Sequence, residues 1–323
     1  MESSDSKARQ EGLSNISHSG SVNDGLLAGK TIMVRVYQRC QKRLVTQKDY
    51  QQGILDWLYG SRLGRFFLPA LTAPMVSAFL SLADYSFLSR PKIRRFIEEY
   101  DIDTSHLTAS DYPHFAAFFT RRFREGARKI AEDPAILAVA EAKLTVYPIS
   151  DDLVLSIKGQ RYSLGDLLQD KALAQLFSGG TACLYRLGVE DYHRYLAAES
   201  GKILQRQTIK GRLHTIREVA QQVYPVFKEN YRHYCLIDTV DAGKVLQMEI
   251  GALLVGKIYN HHLTNLLRGQ EKGYFGLGGS SILVLYPKGA VSLDQDILSY
   301  SRQGIETQVS LGEKIGVKYV RST

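Results

Sequence analysis

The sequence predicts an α+β protein, with a helical N-terminal region followed by a mainly antiparallel, β-rich domain of sandwich or barrel type. Two observations carry this. Up to about residue 128 the apolar residues recur at helical spacing and are broken by prolines, whereas after Pro134 they fall into short runs bounded by turn residues. A third sets the scale: 323 residues, 44% hydrophobic and 23% charged, suit a folded globular chain of roughly two structural units and exclude disorder throughout, collagen and a disulfide scaffold.

Taken in order, Met1 to Asp24 is rich in Ser, Asp and Gly and lacks an apolar run. It reads as part of a disordered tail over residues 1–29, not as a secretory signal. From Lys30 to Arg65, basic residues (Arg35, Arg39, Lys42, Arg43, Lys48, Arg62, Arg65) alternate with apolar ones, and Ile54, Trp57 and Leu58 are spaced as one helical face. This stretch fits docking on anionic lipid; a helical cap with a solvated basic face fits it too. Phe66 to Leu88 is the most apolar window and has about the length of a membrane span. Pro69, Pro74 and Asp84 argue instead for a helix pair in the core or on a membrane surface.

Ser89 and Pro91 signal a helix start, and the stripe Ile93, Phe96, Ile97, Tyr100 continues it. A second short helix is expected from Asp111 to Phe123, burying Phe115, Phe118 and Phe119. These two complete a helical region over residues 30–128. In residues 129–323 the strand candidates are Leu144–Ile149, Leu153–Gly159, Ala182–Leu187, Tyr234–Val240, Val245–Ile258 and Ser281–Tyr286, with turns at Asp151-Asp152, Asp241–Gly243 and Lys288-Gly289.

An excess of 41 Lys and Arg over 33 Asp and Glu gives a net charge of +8, which suits an anionic partner without choosing one. Cys40, Cys183 and Cys235 are too few and too scattered for a disulfide framework or a CxxC metal site, so a reducing, cytoplasmic setting is expected. There is no HExxH pattern, and the adjacent His261 and His262 on a strand would point to opposite faces, so no metal is expected. No nucleic-acid motif accompanies the basic residues.

Two features could carry chemistry. In GYFGLGGSSILVLY, paired glycines place Ser280 on permissive backbone at the head of an apolar strand; a plain hairpin turn would read the same way. A phosphate loop and a nucleophile elbow are disfavoured, because GxxxxGK[ST] and GxSxG are absent. His193, in VEDYHRY, lies in a dense polar cluster, where it could serve as an acid/base or as a structural hydrogen-bonding residue.

The segments SRPKIRRFIEEYDID, FAAFFTRRFREGARKI, IKGQRYSLGDLL, FSGG, DYHRY, FKENYR, IGALLVGKI and KGYFGLGGSS occur in an order that resembles the phosphatidylserine decarboxylase family, across Leu88 to Val317. That resemblance implies a self-cleaving proenzyme split between Gly279 and Ser280, with Ser280 becoming a covalent pyruvoyl group and no separate cofactor. It implies that His193 is the acid/base of decarboxylation, that Glu141 is the carboxylate partner of the cleavage base, and that phosphatidylserine yields phosphatidylethanolamine and CO2. Two positions depart from the family pattern. Glu141 stands where the family carries aspartate, and Leu196 where many relatives carry histidine, which leaves His214, His261 or His262 to supply the cleavage base. The expected partners are a phospholipid surface, bound peripherally, and the chain's own second fragment, with homodimerisation open. Two rival readings stay open: a decarboxylase of the same fold acting on a soluble amino acid or amine, and an uncleaved family member with a binding role.

Overall fold

The computed structural model describes residues 33–48, 52–253, 257–278 and 280–319. The expected tail and Gly279 lie outside the described residues. All those described belong to one compact unit, Thr31–Thr323, so the helical and β-rich segments share a single body.

The described chain opens with a hairpin, β1 (Met33–Gln38) and β2 (Arg43–Lys48), where a helix was expected. The reason is tertiary. The β-branched Val34 and Val36 suit a strand, and β1 finds a parallel backbone partner in a C-terminal strand, Glu306–Val309. Arg39 at the hairpin tip fastens it, reaching Asp294, Asp296 and Glu313 at 2.8 Å each.

Five helices follow: α1 (Gln52–Gly60), α2 (Arg62–Leu71), α3 (Pro74–Ser81), α4 (Pro91–Tyr100) and α5 (Phe115–Phe119). Helix α1 buries Leu55, Leu58 and Tyr59 and leaves Ile54 and Trp57 exposed, so the inward face is rotated from the one the spacing suggested. Ser61 caps α2 by accepting from Gly64 N–H at 2.8 Å, and a Cβ on Gly64 would lie 2.5 Å from the Trp57 carbonyl, so only glycine lets α1 and α2 approach this closely. Ser89 does not cap α4. It donates to the Asp84 and Ser86 carbonyls and accepts from Phe115 N–H, tying α4 to α5. Helix α5 is shorter than expected and is capped by His114, whose Nδ1 accepts from Ala117 N–H at 3.1 Å. No single helix among the described residues is long and apolar enough to cross a membrane; the bent pair Arg62–Leu71 and Pro74–Tyr85, turned by 78°, reaches that length and composition only together.

The remaining strands are β3 (Ala135–Leu137), β4 (Ala142–Pro148), β5 (Val154–Ile157), β6 (Gln160–Ser163), β7 (Thr181–Leu187), β8 (Arg194–Leu196), β9 (Gly201–Ile209), β10 (Arg232–Thr239) and β11 (Lys244–Ile250). They continue with β12 (Ile258–Asn260), β13 (Asn265–Leu266), β14 (Glu271–Phe275), β15 (Ser280–Tyr286), β16 (Val291–Leu293), β17 (Glu306–Val309) and β18 (Lys314–Lys318). The run expected as one strand from Val245 to Ile258 is thus divided between β11 and β12.

Ten strands form one sheet in the order β13-β9-β10-β11-β15-β7-β4-β17-β1-β2, and every pairing but β1–β17 is antiparallel. Strand β15 lies near its middle with all seven residues buried, which is why its sequence reads as a continuous apolar run after Ser280-Ser281. A three-stranded sheet, β12-β14-β8, packs against β11 of the large sheet, where Lys272 of β14 reaches Glu249. Gln247 of β11 locks the two layers together, accepting from Ala198 N–H and donating to the Leu196 carbonyl, both at 3.0 Å.

Candidate active site

Ser280 is the first residue of β15 and is fully buried. Register fixes its neighbours: it pairs with Leu187 of β7, while Ser281 pairs with Arg186 on one side and Ile250 of β11 on the other. Because side chains alternate along a strand, Ser280 faces the small sheet and Ser281 faces away from it, toward Arg186 and its buried partner Glu306. Neither hydroxyl has a hydrogen-bond partner among the described residues. A buried hydroxyl costs free energy when unpaired, about 1–3 kcal/mol, so an orphan at this place calls for a functional reason. Just upstream, Gly278 has φ +107°, a conformation that L side chains rarely adopt.

His193 directly precedes β8 and lies against the segment that leads into Ser280. Its carbonyl accepts from Phe275 N–H at 2.9 Å, and the Gly278 backbone lies close enough to its ring to favour the charged form. Nδ1 sits 2.9 Å from the Asp191 carbonyl. A carbonyl can only accept, so this contact favours the tautomer with the proton on Nδ1 and the lone pair on Nε2. Nε2 is buried with no partner, as Ser280 Oγ is. Phe119 of α5 lies over the ring at a centroid distance of 4.1 Å. Burial first, and then the Arg121 guanidinium, push the imidazole down from 6.5 to about 3, so it is neutral at physiological pH.

The turn between β7 and β8 is held by charges. Lys143 of β4, itself buried, reaches Glu190 at 2.8 Å and Asp191 at 3.2 Å, and Asp191 Oδ2 also accepts from Gly188 N–H at 2.7 Å. Burial raises the Asp191 carboxyl above the usual range; at Glu190 burial acts the same way, but the nearer Lys143 outweighs it and the net shift is downward. Arg121 donates through Nη2 to the carbonyls of both Glu190 and Asp191, at 2.8 and 3.1 Å.

The other sequence-predicted residues are placed differently. Glu141 faces Arg128, 2.5 Å away, whose guanidinium stacks on Phe123, which in turn stacks on Tyr192. His214 is buried beyond β11: Tyr59 Oη lies 3.3 Å from its Nδ1, Tyr224 stacks on it, and Asn230 links its backbone to the Gly251 carbonyl. Burial, followed by Arg212, lowers its imidazole to about 4. His261 is bound to Glu271 at 2.8 Å, and His262 is exposed. Leu196 is buried in β8. The structure therefore brings the His193 ring to the Gly278 backbone, two residues before Ser280, while Glu141, His214 and His261 are held in pairings of their own and His262 is exposed.

Sequence reasoning missed Arg121, Lys143 and Phe119 as parts of the site. The FFTRR run contains two of them, but only the fold shows that Arg121 turns inward while Arg122 stays exposed. Also unforeseen is a buried network beside the site, in which Lys272 reaches Glu249 at 2.8 Å and Asn260 Oδ1 at 2.7 Å, with His233 3.4 Å from Glu249. Among the described residues no group of three or more His, Cys, Asp or Glu could hold a metal ion.

A family-wide sequence model described as phosphatidylserine decarboxylase matches residues 115–317, from the start of α5 to β18. The chain is 40% identical over 285 residues to phosphatidylserine decarboxylase proenzyme 2 of Clostridium acetobutylicum, which covers 88% of this chain and 98% of that protein. It is 34% identical to the phosphatidylserine decarboxylase proenzyme of Ruminiclostridium cellulolyticum and 33% identical to that of Clostridium novyi, each over 294 residues. Those two matches cover 88% of this chain and 97% and 100% of the relatives.

Proposed function

The chain belongs to the phosphatidylserine decarboxylase family, and from that premise we propose that it cleaves itself between Gly279 and Ser280 and then decarboxylates phosphatidylserine to phosphatidylethanolamine. The observation that supports this is the pair of unpartnered, buried atoms at the head of β15, Ser280 Oγ and His193 Nε2, next to the glycine-rich turn.

In cleavage, neutral His193 takes the Ser280 hydroxyl proton as Oγ attacks the Gly279 carbonyl carbon. The proton returns to the Ser280 nitrogen as the amide bond breaks, leaving an ester and a free amine. Loss of the Ser280 α-proton expels the Gly279 carboxylate, and water then displaces ammonia, so the new N-terminus carries a pyruvoyl group. That group supplies a carbonyl for the substrate amine and an electron sink for the departing CO2. The residues present fit it: Ser280 is held by strand register, Phe119 excludes water, and His193 is the proton carrier at hand.

A lipid substrate is favoured over a soluble one by the outer surface of α2, α3 and residues 82–88, where Phe66, Met75, Phe79 and Leu88 are 76%, 86%, 72% and 85% exposed. With exposed Arg62, Arg65 and Arg90 beside them, these side chains form a patch suited to an anionic bilayer. The test is CO2 release from purified protein given phosphatidylserine vesicles or free serine. Release from vesicles alone is expected; equal turnover of free serine would contradict the lipid reading, and no release from either would contradict the activity.

A further inference from the structure

We propose that Arg121 is a positioning residue for self-cleavage: by gripping the Glu190 and Asp191 carbonyls, it fixes His193 as the Nδ1–H tautomer with Nε2 free to take the Ser280 proton. This rests on the roles given to Ser280 and His193 above. The geometry behind it is a shared acceptor. The Asp191 carbonyl receives both Arg121 Nη2 and His193 Nδ1, so the guanidinium and the imidazole are joined through a single oxygen atom. Residues 188–193 have no strand ladder of their own, and the orientation of that carbonyl depends on Arg121 from one side and on the Lys143 and Gly188 contacts of Asp191 from the other.

The chemistry of the acceptors matters as much as their position. Arg121 is 4% exposed, and its Nη2 donates to the Glu190 and Asp191 carbonyls, not to their carboxylates. A buried guanidinium bound in this way keeps its positive field. That field falls on His193 and adds to burial, the larger cause, in opposing its protonation, so the residue that orients the ring also helps to keep it a base. The opposing charge facing the ring is Glu190, which Lys143 neutralises at 2.8 Å; the Asp191 carboxyl is biased by burial toward its neutral form. Phe119, two residues before Arg121, covers the ring, so the segment from α5 to Arg121 both shields and sets the base.

The test follows cleavage of freshly synthesised precursor on denaturing gels from pH 5 to 8. The parent is expected to cleave at a rate independent of pH. Arg121→Gln is expected to cleave at least tenfold more slowly with a profile that stays flat, because burial, the larger cause of the lowered pKa, still keeps the ring neutral; on the uncleaved Ser280→Ala background the same substitution is expected to move the His193 ring from Nδ1–H alone to a mixture with Nε2–H. Arg121→Lys should restore the rate. A tautomer unchanged by Arg121→Gln would overturn the proposal, since a merely structural loss has no reason to move the proton between the ring nitrogens. Should the glutamine variant fail to fold, histidine nitrogen resonances of the uncleaved Ser280→Ala protein decide: Nδ1–H at His193 supports the proposal, and Nε2–H or an imidazolium at pH 7 overturns it. Cleavage that survives His193→Gln would overturn the parent reading and this one with it, whereas a wrong tautomer with His193→Gln inactive would overturn this one alone.

Discussion

The sandwich around Ser280 and the helices α1 to α3 invert each other's burial. In the first, groups that favour water are inside: Ser280, His193, Arg121, Lys143, Glu249 and Lys272 are all buried. In the second, groups that avoid water are outside, from Ile54 and Phe66 to Met75 and Phe79. Both arrangements cost stability in a chain that only has to fold, and each is accounted for by what lies opposite it. The buried polar groups are mostly satisfied by one another, with orphans that include Ser280 Oγ and His193 Nε2, whereas the exposed apolar side chains turn most of their surface outward, as a bilayer-docking face would. On the proposed reading, the contrast separates a chemical half from a docking half within one compact unit.

The largest effect that would sharpen this contrast is expected inside. Replacing His193 by glutamine removes the neutral base of the proposed mechanism and should slow cleavage by about 10²–10⁴-fold, read as the half-time of precursor on gels. The corresponding change outside should leave cleavage alone. Phe66→Ser with Phe79→Ser removes two side chains worth roughly 1.5–3 kcal/mol each when fully buried in an apolar phase. Vesicle binding, followed by co-sedimentation, should fall at least tenfold while thermal stability moves by less than about 1 kcal/mol. Weak binding in both proteins, or a large loss of stability, would break the division.

Acid should act on the interior through two buried histidines. His193 and His214 are buried with pKa values lowered to about 3 and about 4, while the unfolded chain titrates near 6.5. Below pH 6.5 the unfolded state binds protons that the folded state does not, so stability falls as pH drops toward 4, by roughly 1.4 kcal/mol per pH unit for each histidine. Urea midpoints measured from pH 7 to 4 check this, and a His193→Gln variant should show a shallower fall. The smallest effect is expected at Glu141, which faces Arg128 in a partly exposed pair. Such pairs contribute about 0–1 kcal/mol, and Glu141→Gln should lengthen the cleavage half-time by less than tenfold. A loss as large as that of His193→Gln would return Glu141 to the centre of the chemistry.

The sequence made the interior of the sandwich legible where one physical rule decided the outcome. Short apolar runs bounded by Gly, Asp and Lys became β4, β7, β10 and β15, because β-branched and aromatic residues suit a buried strand whatever surrounds it. Legibility failed where a distant partner decided. The β1–β2 hairpin is fixed by β17 and by acids more than 250 residues away from Arg39, neither of which local spacing can report. The rotated face of α1 is set by its packing against the rest of the unit. Ser280 and His193 could be picked out by residue type and resemblance, but Arg121 and Lys143 look like any surface cations until the fold buries them beside Glu190 and Asp191.

The central claim is that the buried Ser280 hydroxyl is a nucleophile against its own chain. Mass spectrometry of the purified protein beside its Ser280→Ala variant, after separation on a denaturing gel, tests it most directly. The account predicts two fragments from the parent, the smaller one beginning at position 280 and lighter by one ammonia than the unmodified peptide, and a single full-length chain from the variant. A parent that stays intact at full-length mass, or a variant that is cleaved at the same bond, would contradict it.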